Sequence, residues 1–438
     1  MKSLKQNSIK IPDPLILALL LTLLTMVLAF SLGSNSGPGL EGVTDVIIWW
    51  NQGIWDLLSF TMQMVLILLL GYMLALSTVF GRLSTALTSL AKNPLAAAIT
   101  VSVTAVILGL LNWGLALVFG AVFVRKIAIQ AVKNGNPINY PLLGAAAYTS
   151  MMVWHGGLSG SAPLSVASSA HFLIEKTGVI GLSETIFSPM NLLTALSLLL
   201  ILPLATWFLA RNSINSIPAL NLDQNELSQE KDSQQSYSRV TLLSFFGFLL
   251  LAGYILRIIM SDKASNFGLN EINIILLALV LIFLPSVKQL SEAAQTAASS
   301  TVGIMLQFPI YAGIMGLMNH SGLLNVMTQW FITISTPETF SVYAFFSASL
   351  VNLFVPSGGG QWAVQGPMII DSALALGVPP PKAVMALAYG DQLTNMLQPF
   401  WALPLLAITG LKAGQILKYA VIYMLIGFAV FTFFLAIM

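Results

Sequence analysis

Asn352-Leu-Phe-Val-Pro-Ser-Gly-Gly-Gly-Gln361 is a polar, glycine-rich stretch that lies between long apolar runs of the chain. At bilayer depth such a break leaves backbone N–H and C=O groups that hydrocarbon cannot pair. The stretch must therefore be buried in protein or line a wet cavity. Broken segments of this kind are typical of substrate and ion sites in membrane carriers.

The composition of the whole chain indicates a membrane protein. Of its 438 residues, 57% are hydrophobic and only 8% are charged, whereas a soluble protein carries roughly 25% charged residues. The net charge of +2, without a basic cluster, argues against a nucleic-acid partner. The sequence has no cysteine, three histidines and no His/Glu cluster, so we predict no disulfide, no cysteine catalysis and no histidine or thiolate metal centre. The phosphate-loop and esterase-like patterns near 356–360 and 155–161 are incomplete, and we predict no cofactor and no enzymatic activity.

The N-terminal region predicts a first membrane helix that is retained. Three lysines precede the apolar run 15–32, and this run approaches the roughly 20 residues that cross a bilayer. Pro12, Pro14 and the length of the run favour a retained helix over a cleaved signal peptide. We expect a multi-pass protein whose N-terminus is cytoplasmic.

Two apolar stretches, 95–131 and 339–376, have a polar or glycine-rich centre. Each is compatible with one kinked span or with a hairpin that enters and leaves by the same side. Lys and Arg favour cytoplasmic loops, and two hairpins place 14 of the 18 Lys and Arg on that side. We therefore predict two re-entrant hairpins. The remaining spans are predicted near 14–32, 46–76, 140–173, 185–210, 240–260, 272–287, 299–333 (with a trailing surface turn), 383–410 and 415–437.

Three anchors recur in the same order along the chain: Asn112 and Asn352, Tyr148 and Tyr389, Pro163 and Pro404. Their spacings are 36 and 37 residues, and then 15 residues in both halves. Five predicted spans separate the hairpins, and an odd number inverts the second copy, as in many secondary transporters. We predict an all-α polytopic membrane protein with two inverted repeats, a scaffold and a transport domain. Its parts are an N-terminal repeat 1–210 (hairpin 95–131, broken helix 140–173), a cytoplasmic linker 211–238, and a C-terminal repeat 239–438 (hairpin 339–376, broken helix 383–410).

Glycine and proline interrupt the helices that follow each hairpin, within 148–163 and 389–399. Unwinding creates a helix N-terminus with free N–H donors, equivalent to about half a positive charge, and so an anion site. The same breaks free carbonyls that suit Na⁺. No Lys or Arg lies in these segments. Because transporters usually bind a dianion through Arg, the absence of these residues favours a monocarboxylate substrate. Neighbouring tryptophans would flank its alkyl tail, or they simply pack helices.

Asp391 is the one acid placed well inside a predicted span, where charge is costly and usually functional. It either couples transport to an ion or proton or pairs with a freed N–H. His155 is either a proton carrier or a satisfied core histidine. The alternative coupling site is one for sodium near Asn112, Asn352 and Asp391. We predict substrate binding by Asn112, His155, Ser159, Ser161, Asn352, Ser357, Gly358, Gly359, Gly360, Gln361, Trp362, Thr394 and Asn395.

The tract Val351-Asn-Leu-Phe-Val-Pro-Ser-Gly-Gly-Gly-Gln-Trp-Ala-Val-Gln-Gly-Pro367 resembles the signature of the bacterial short-chain fatty acid transporter family, and 155–163 and 388–401 are similar too. The resemblance implies substrates such as butyrate or acetoacetate. Membership of the ion transporter superfamily implies a scaffold, a moving transport domain, a homodimer and elevator-type alternating access. The superfamily's hairpin tips often carry Ser-Asn-Thr, whereas these read Asn112-Trp-Gly and Asn352-Leu-Phe, which leaves sodium coordination open.

Together, these features predict a secondary active transporter of short-chain monocarboxylates in the bacterial inner membrane, coupled to H⁺ or Na⁺. The alternative is an ion-coupled carrier of another organic anion, such as a dicarboxylate or peptide-like acid, or a Na⁺/H⁺ exchanger on the same scaffold.

Overall fold

The structure is a computed structural model that describes residues 14–35, 37, 39–213, 241–260, 267–353, 355–398 and 401–438. The predicted linker 211–238 lies outside these ranges except for residues 211–213. Within them the fold is helical, and six helical segments are long and apolar enough to cross a membrane. The predicted all-α polytopic fold is confirmed.

The first half of the chain contains ten α-helices in its described residues. They are α1 Pro14–Leu32, α2 Gly39–Gly53, α3 Leu58–Ala75, α4 Thr78–Thr88, α5 Pro94–Leu111, α6 Trp113–Asn134, α7 Tyr140–Tyr148, α8 Ser161–Val166, α9 Ile174–Thr177 and α10 Pro189–Arg211. The second half continues with α11 Leu242–Met260, α12 Leu269–Phe283, α13 Val287–Ala298, α14 Val302–His320, α15 Leu323–Ile334, α16 Phe340–Val351, α17 Gly358–Ala375, α18 Pro380–Thr394, α19 Leu403–Thr409 and α20 Ala413–Ile437.

Local sequence explains where several of these helices begin and end. The Asn93 side chain accepts a hydrogen bond from the backbone at the start of α5, and Pro94 occupies the first helical position. Asn112 and Ser188 cap α6 and α10 in the same way. Such caps each contribute about 1 kcal/mol. Gly135 ends α6 at φ +65, a left-handed conformation that glycine adopts without strain.

The chain reverses direction at both of the polar centres singled out in the sequence. Helices α5 and α6 pack against each other on either side of Asn112, whose backbone is extended. In the second stretch, Gln365 Nε2 donates to Ser347 Oγ at 2.9 Å, and Gln361 Nε2 donates to the Ala348 carbonyl at 2.8 Å. A continuous helix would separate residues 347 and 365 by roughly 27 Å. Both stretches are therefore hairpins in shape, while their re-entry at one membrane surface stays a prediction.

The order of helices is similar in the two halves. In each half a long helix and a short helix precede the two arms of a hairpin, and an interrupted helix and a long final helix follow. The corresponding helices are α3, α4, α5, α6, α7 and α10 in the first half and α14, α15, α16, α17, α18 and α20 in the second. This order supports the predicted repeat, whereas its inverted orientation and the domain boundaries stay predictions.

Two predicted spans differ from the observed helices. The predicted span 46–76 is two helices, α2 and α3, because α2 ends at Gly53 and packs against α14, where a Cβ at Gly53 would lie 2.7 Å from Gly316. Three of the four residues between them, Ile54 to Leu57, are apolar, and the single acid Asp56 leaves the run hydrophobic on average.

The end of the predicted span 299–333 is a helix and not a surface turn. Gly322 at φ +79 starts α15, which packs against α17 and buries Leu323, Leu324 and Phe331. Hydropathy alone does not show this buried face. The amphipathic helix α13, in a region predicted as a connection, carries exposed Lys288 and Glu292.

Candidate functional site

Four interrupted segments meet in the buried centre of the molecule. We call residues 112–113 the first tip and residues 149–160 the first break. The second tip comprises residues 352–353 and 355–357, and the second break comprises residues 395–398 and 401–402. The side chains that join these segments are buried; Asn112 is 1% exposed, and His155, Asn352 and Asp391 are 0% exposed.

The first tip is attached to the first break through backbone groups. The Trp113 N–H donates to Ser159 Oγ at 3.1 Å, and the Leu158 N–H donates to the Leu110 carbonyl at 2.7 Å. A Cβ at Gly157 would collide with the same Leu110 carbonyl. The glycine is therefore needed for close approach of the two segments, and predicted Ser159 serves this attachment.

Asn112 connects the first tip to α3. Its Oδ1 accepts from the Leu115 N–H at 2.9 Å, and its Nδ2 donates to the Ile67 carbonyl at 3.2 Å. A Cβ at Gly71 of α3 would collide with Asn112 Oδ1. Both polar atoms of this predicted substrate residue thus bind protein groups in the described conformation.

The first break is joined to the second half by a buried acid–histidine pair. His155 Nδ1 lies 2.5 Å from Asp391 Oδ2, and its Nε2 accepts from the Ala162 N–H at 3.1 Å. Because a backbone N–H can only donate, Nε2 must present a lone pair, and the shared proton lies between Nδ1 and Asp391. Asp391 Oδ1 is buried without a hydrogen-bond partner, so this oxygen can receive a further proton.

Neighbouring groups hold His155 in place. Its backbone N–H donates to Gln392 Oε1 at 2.9 Å. The Trp154 ring stacks on the imidazole with 4.5 Å between centroids, and the predicted substrate residue Ser161 lies with its Oγ 3.3 Å from Nε2. The pair joins residues 236 positions apart, so the sequence indicated each residue but not their contact.

Asn352 connects the second tip to the end of α18. Its Nδ2 lies 2.6 Å from the Asp391 carbonyl, 2.8 Å from Asn395 Oδ1 and 3.0 Å from Thr394 Oγ1. In return, Gln398 Nε2 donates to the Asn352 carbonyl at 2.6 Å. The structure thus brings the predicted residues Asn352, Asp391, Thr394 and Asn395 together.

The glycine run after the second tip packs against large side chains. Ser357 Oγ caps α17 by accepting from the Gly360 N–H at 3.2 Å. A Cβ at any of the three glycines would meet an aromatic ring: Trp154 at Gly358, Phe60 and Phe308 at Gly359, and Tyr311 at Gly360. Close packing therefore accounts for the glycines, and their predicted binding of substrate stays a prediction.

Trp362, a predicted substrate residue, packs beside α8 and not with the tryptophans of the first tip and the two breaks. Its Nε1 donates to Ser165 Oγ at 3.3 Å, and its ring lies 6.0 Å from Phe172. Trp154 instead lies beside Trp113 and Trp401, with ring centroids 5.2 to 6.4 Å apart among the three. We call Trp113, Trp154 and Trp401 the tryptophan cluster. Predicted Gln361 binds the Ala348 carbonyl and Gln365 Oε1 through its Nε2.

The two repeat-anchor tyrosines each support the break of the opposite half. Tyr148 donates from its hydroxyl to the Asn395 carbonyl at 2.6 Å and lies 2.9 Å from the Gln398 carbonyl. Tyr389 donates to Asn191 Oδ1 at 2.9 Å, and Asn191 Nδ2 donates to the Gly156 carbonyl at 2.8 Å. These tyrosines were recognised as repeat anchors without a structural role; Tyr148 directly precedes the first break, and Tyr389 lies six residues before the second.

Replacing Tyr148 by phenylalanine is expected to lower the free energy of unfolding by about 1–3 kcal/mol, because two buried carbonyls lose their donor. Thermal unfolding of the purified protein in detergent measures this loss. Tyr343, 42% exposed on α16, provides the matched control, and Tyr343→Phe should leave the melting temperature unchanged. Equal melting temperatures for the two variants would show that Tyr148 does not stabilise the second break.

The fold is shared with solved membrane transporters. The YdaH transporter of Alcanivorax borkumensis aligns with a TM-score of 0.63 at 15% identity, over 97% of this chain and 98% of that one. MtrF of Neisseria gonorrhoeae, described within a class of antimetabolite efflux pumps, aligns with a TM-score of 0.62 at 16% identity, over 98% and 96%. At these identities the likeness establishes the fold alone, that of a polytopic membrane transporter.

Sequence comparison defines the family. Residues 3–438 match the family described as short chain fatty acid transporter. Proteins of Escherichia coli (strain K12) and Haemophilus influenzae (strain Rd), both provisionally named short-chain fatty acid transporters, are each 36% identical to this chain. The alignments cover 96% and 93% of this chain and 95% and 92% of those proteins. The chain belongs to the short-chain fatty acid transporter family, which confirms the resemblance.

Proposed function

We propose that the protein carries short-chain monocarboxylates such as butyrate and acetoacetate across the bacterial inner membrane, each with one proton. The observation that carries this proposal is the buried His155–Asp391 pair, which joins two interrupted helices among neutral hydrogen-bonding side chains. The family and the names of its relatives supply the substrate class. The geometry of the pair supports its assignment as the proton site.

Charge balance favours one proton for each acid. Importing a monoanion against an inside-negative potential costs about 2.3 kcal/mol per 100 mV. A proton moving with the anion cancels this cost. Carbonyls freed at the breaks, which would suit Na⁺, already accept hydrogen bonds from Tyr148 and Asn191, and this favours H⁺ over Na⁺ as the coupling ion.

The acid–histidine pair provides a physical route for the coupling. A substrate carboxylate arriving near Asp391 adds a second negative charge in a buried place, and this favours protonation of Asp391 Oδ1, which has no partner. By linkage, a protonated pair in turn favours substrate binding by the same factor. Release on the less acidic side then lets proton and acid leave together.

Substrate access requires a movement, because the polar groups of the site are closed to solvent in the described conformation. The first tip contacts α3 through the Asn112–Ile67 bond, and Gly359 and Gly360 pack on α3 and α14. Gly359 and Gly360 carry no side chain that would interlock with these helices, so this contact permits sliding. We propose that α3 and α14 belong to the scaffold and that the tips and breaks move together, elevator-fashion. The homodimer stays a prediction of the resemblance.

Proteoliposome uptake tests the proposed function. An inward proton gradient should raise the initial rate of labelled acetoacetate uptake, while an imposed membrane potential or a Na⁺ gradient should not change it. Excess unlabelled butyrate should compete. Because protonated short acids cross lipid unaided, protein-free vesicles define the background. Uptake driven by Na⁺ or by the potential would contradict the coupling, and uptake insensitive to competing short acids would contradict the substrate class.

A further inference from the structure

Two members of the tryptophan cluster carry indole N–H groups without partners. Trp113 Nε1 and Trp154 Nε1 are both buried and make no hydrogen bond. Their rings are neighbours, with centroids 6.0 Å apart and planes inclined by 59°. The first belongs to the first tip and the second to the first break, so two unsatisfied donors lie where two interrupted segments meet.

Unpaired buried donors are rare in folded proteins and call for an explanation. An indole nitrogen donates and never accepts, so its missing partner must be an acceptor. The sequence suggested that tryptophans form apolar walls for the alkyl tail of the substrate. Their unpaired N–H groups point instead to a polar part of the ligand.

The backbone donors expected to bind the anion are largely engaged within the first break. The Leu158 N–H donates to the Leu110 carbonyl, and the Gly160 N–H donates to the Gly157 carbonyl at 3.0 Å. The Ala162 N–H donates to His155 Nε2. In this part of the site the donors that remain for a ligand are the two indoles and the Ser150 hydroxyl, which is also buried without a partner.

We infer that the N–H groups of Trp113 and Trp154 bind the carboxylate of the transported acid, one to each oxygen. This inference rests on the proposed function and specifies how that site recognises its substrate. Trp154 stacks on His155, so a carboxylate held there lies close to the proton-carrying pair. Hydrogen bonds to a charged acceptor are about twice as strong as neutral ones, so the two indoles select an acid over the matching amide.

Binding measurements on phenylalanine variants test this assignment. Butyrate and butyramide are titrated calorimetrically into the purified full-length protein in detergent. Trp113→Phe and Trp154→Phe should each weaken butyrate binding by about 10- to 100-fold, while butyramide binding changes far less. Trp50→Phe is the matched control, because Trp50 Nε1 is also buried without a partner but lies against Gly313 of α14. That variant should bind butyrate like the wild type.

A second measurement uses the unsubstituted protein. With ¹⁵N-labelled indoles, butyrate should shift two of the nine tryptophan side-chain resonances, and each of these should be missing from the spectrum of one variant. Unshifted resonances, or variants that bind butyrate as Trp50→Phe does, would overturn the assignment while leaving the proposed function intact. If the wild-type protein did not bind butyrate, both the indole assignment and the proposed function would be contradicted.

Discussion

Asp391→Asn is expected to reduce proton-driven uptake to the rate of protein-free vesicles. The asparagine oxygen still accepts the proton of His155 Nδ1, which now lies 2.5 Å from Asp391 Oδ2, so the geometry of the pair is kept. The amide cannot take up or release a proton near neutral pH. The variant therefore resembles the protonated, substrate-loaded carrier, which can exchange acid but cannot return empty after releasing a proton.

Two assays separate these steps. Initial uptake of labelled acetoacetate under an inward proton gradient should be lost in Asp391→Asn, whereas exchange of labelled for unlabelled acid should persist. His171→Gln is the control, because His171 is another buried histidine whose Nε2 lies 2.9 Å from the Gly178 carbonyl outside the four segments. Its uptake should keep the wild-type pH dependence. Normal proton-driven uptake by Asp391→Asn would exclude the pair as the proton carrier.

Asn352→Leu is expected to remove most of the stability of the second tip and to abolish uptake. Leucine has the branched shape of asparagine and the same number of side-chain heavy atoms, but it is larger and donates no hydrogen bond. The Asp391 carbonyl and Asn395 Oδ1 then lose the donor that now lies 2.6 and 2.8 Å away. Each buried acceptor left unpaired costs about 1–3 kcal/mol, and two such losses are a large part of the 5–15 kcal/mol of a typical domain.

Thermal unfolding in detergent and uptake by proteoliposomes measure the two effects. Asn325→Leu is the control, because Asn325 is exposed on α15 and lies in a helix of the same half. It should retain the wild-type melting temperature and uptake. If Asn352→Leu unfolded and transported like Asn325→Leu, the hydrogen bonds of Asn352 would not hold the tip to the break.

Local sequence was sufficient to locate the interruptions of the fold. Asparagine, glycine and proline clustered within apolar runs disfavour helix, and the structure has non-helical or 3₁₀ backbone at residues 112, 149–160, 352–353 and 355–357. The turn between α2 and α3 was missed because three of its four residues are apolar and the single acid, Asp56, does not end the hydrophobic run. The buried face of α15 was missed because it depends on a partner distant in the chain.

Contacts between residues of the two halves could not be predicted from the sequence. Asp391 and His155 were each recognised, but their contact spans 236 positions and no local pattern encodes it. The role of Asn191 in binding the first break was not predicted, because a single amide near the start of a long helix is common and indicates no particular contact. The glycines after Ser357 were predicted to bind substrate, and that stays a prediction; their close packing against aromatic rings depends on residues distant in the chain and was not predicted.

Proton uptake on substrate binding is the most direct test of the coupling between acid and proton. Calorimetric titration of butyrate into the wild-type protein, repeated in buffers with different heats of ionisation, counts the protons taken up with each acid. The coupling predicts about one proton per butyrate for the wild type and none for Asp391→Asn. Butyrate binding to the wild type without proton uptake, or equal uptake by both proteins, would contradict it.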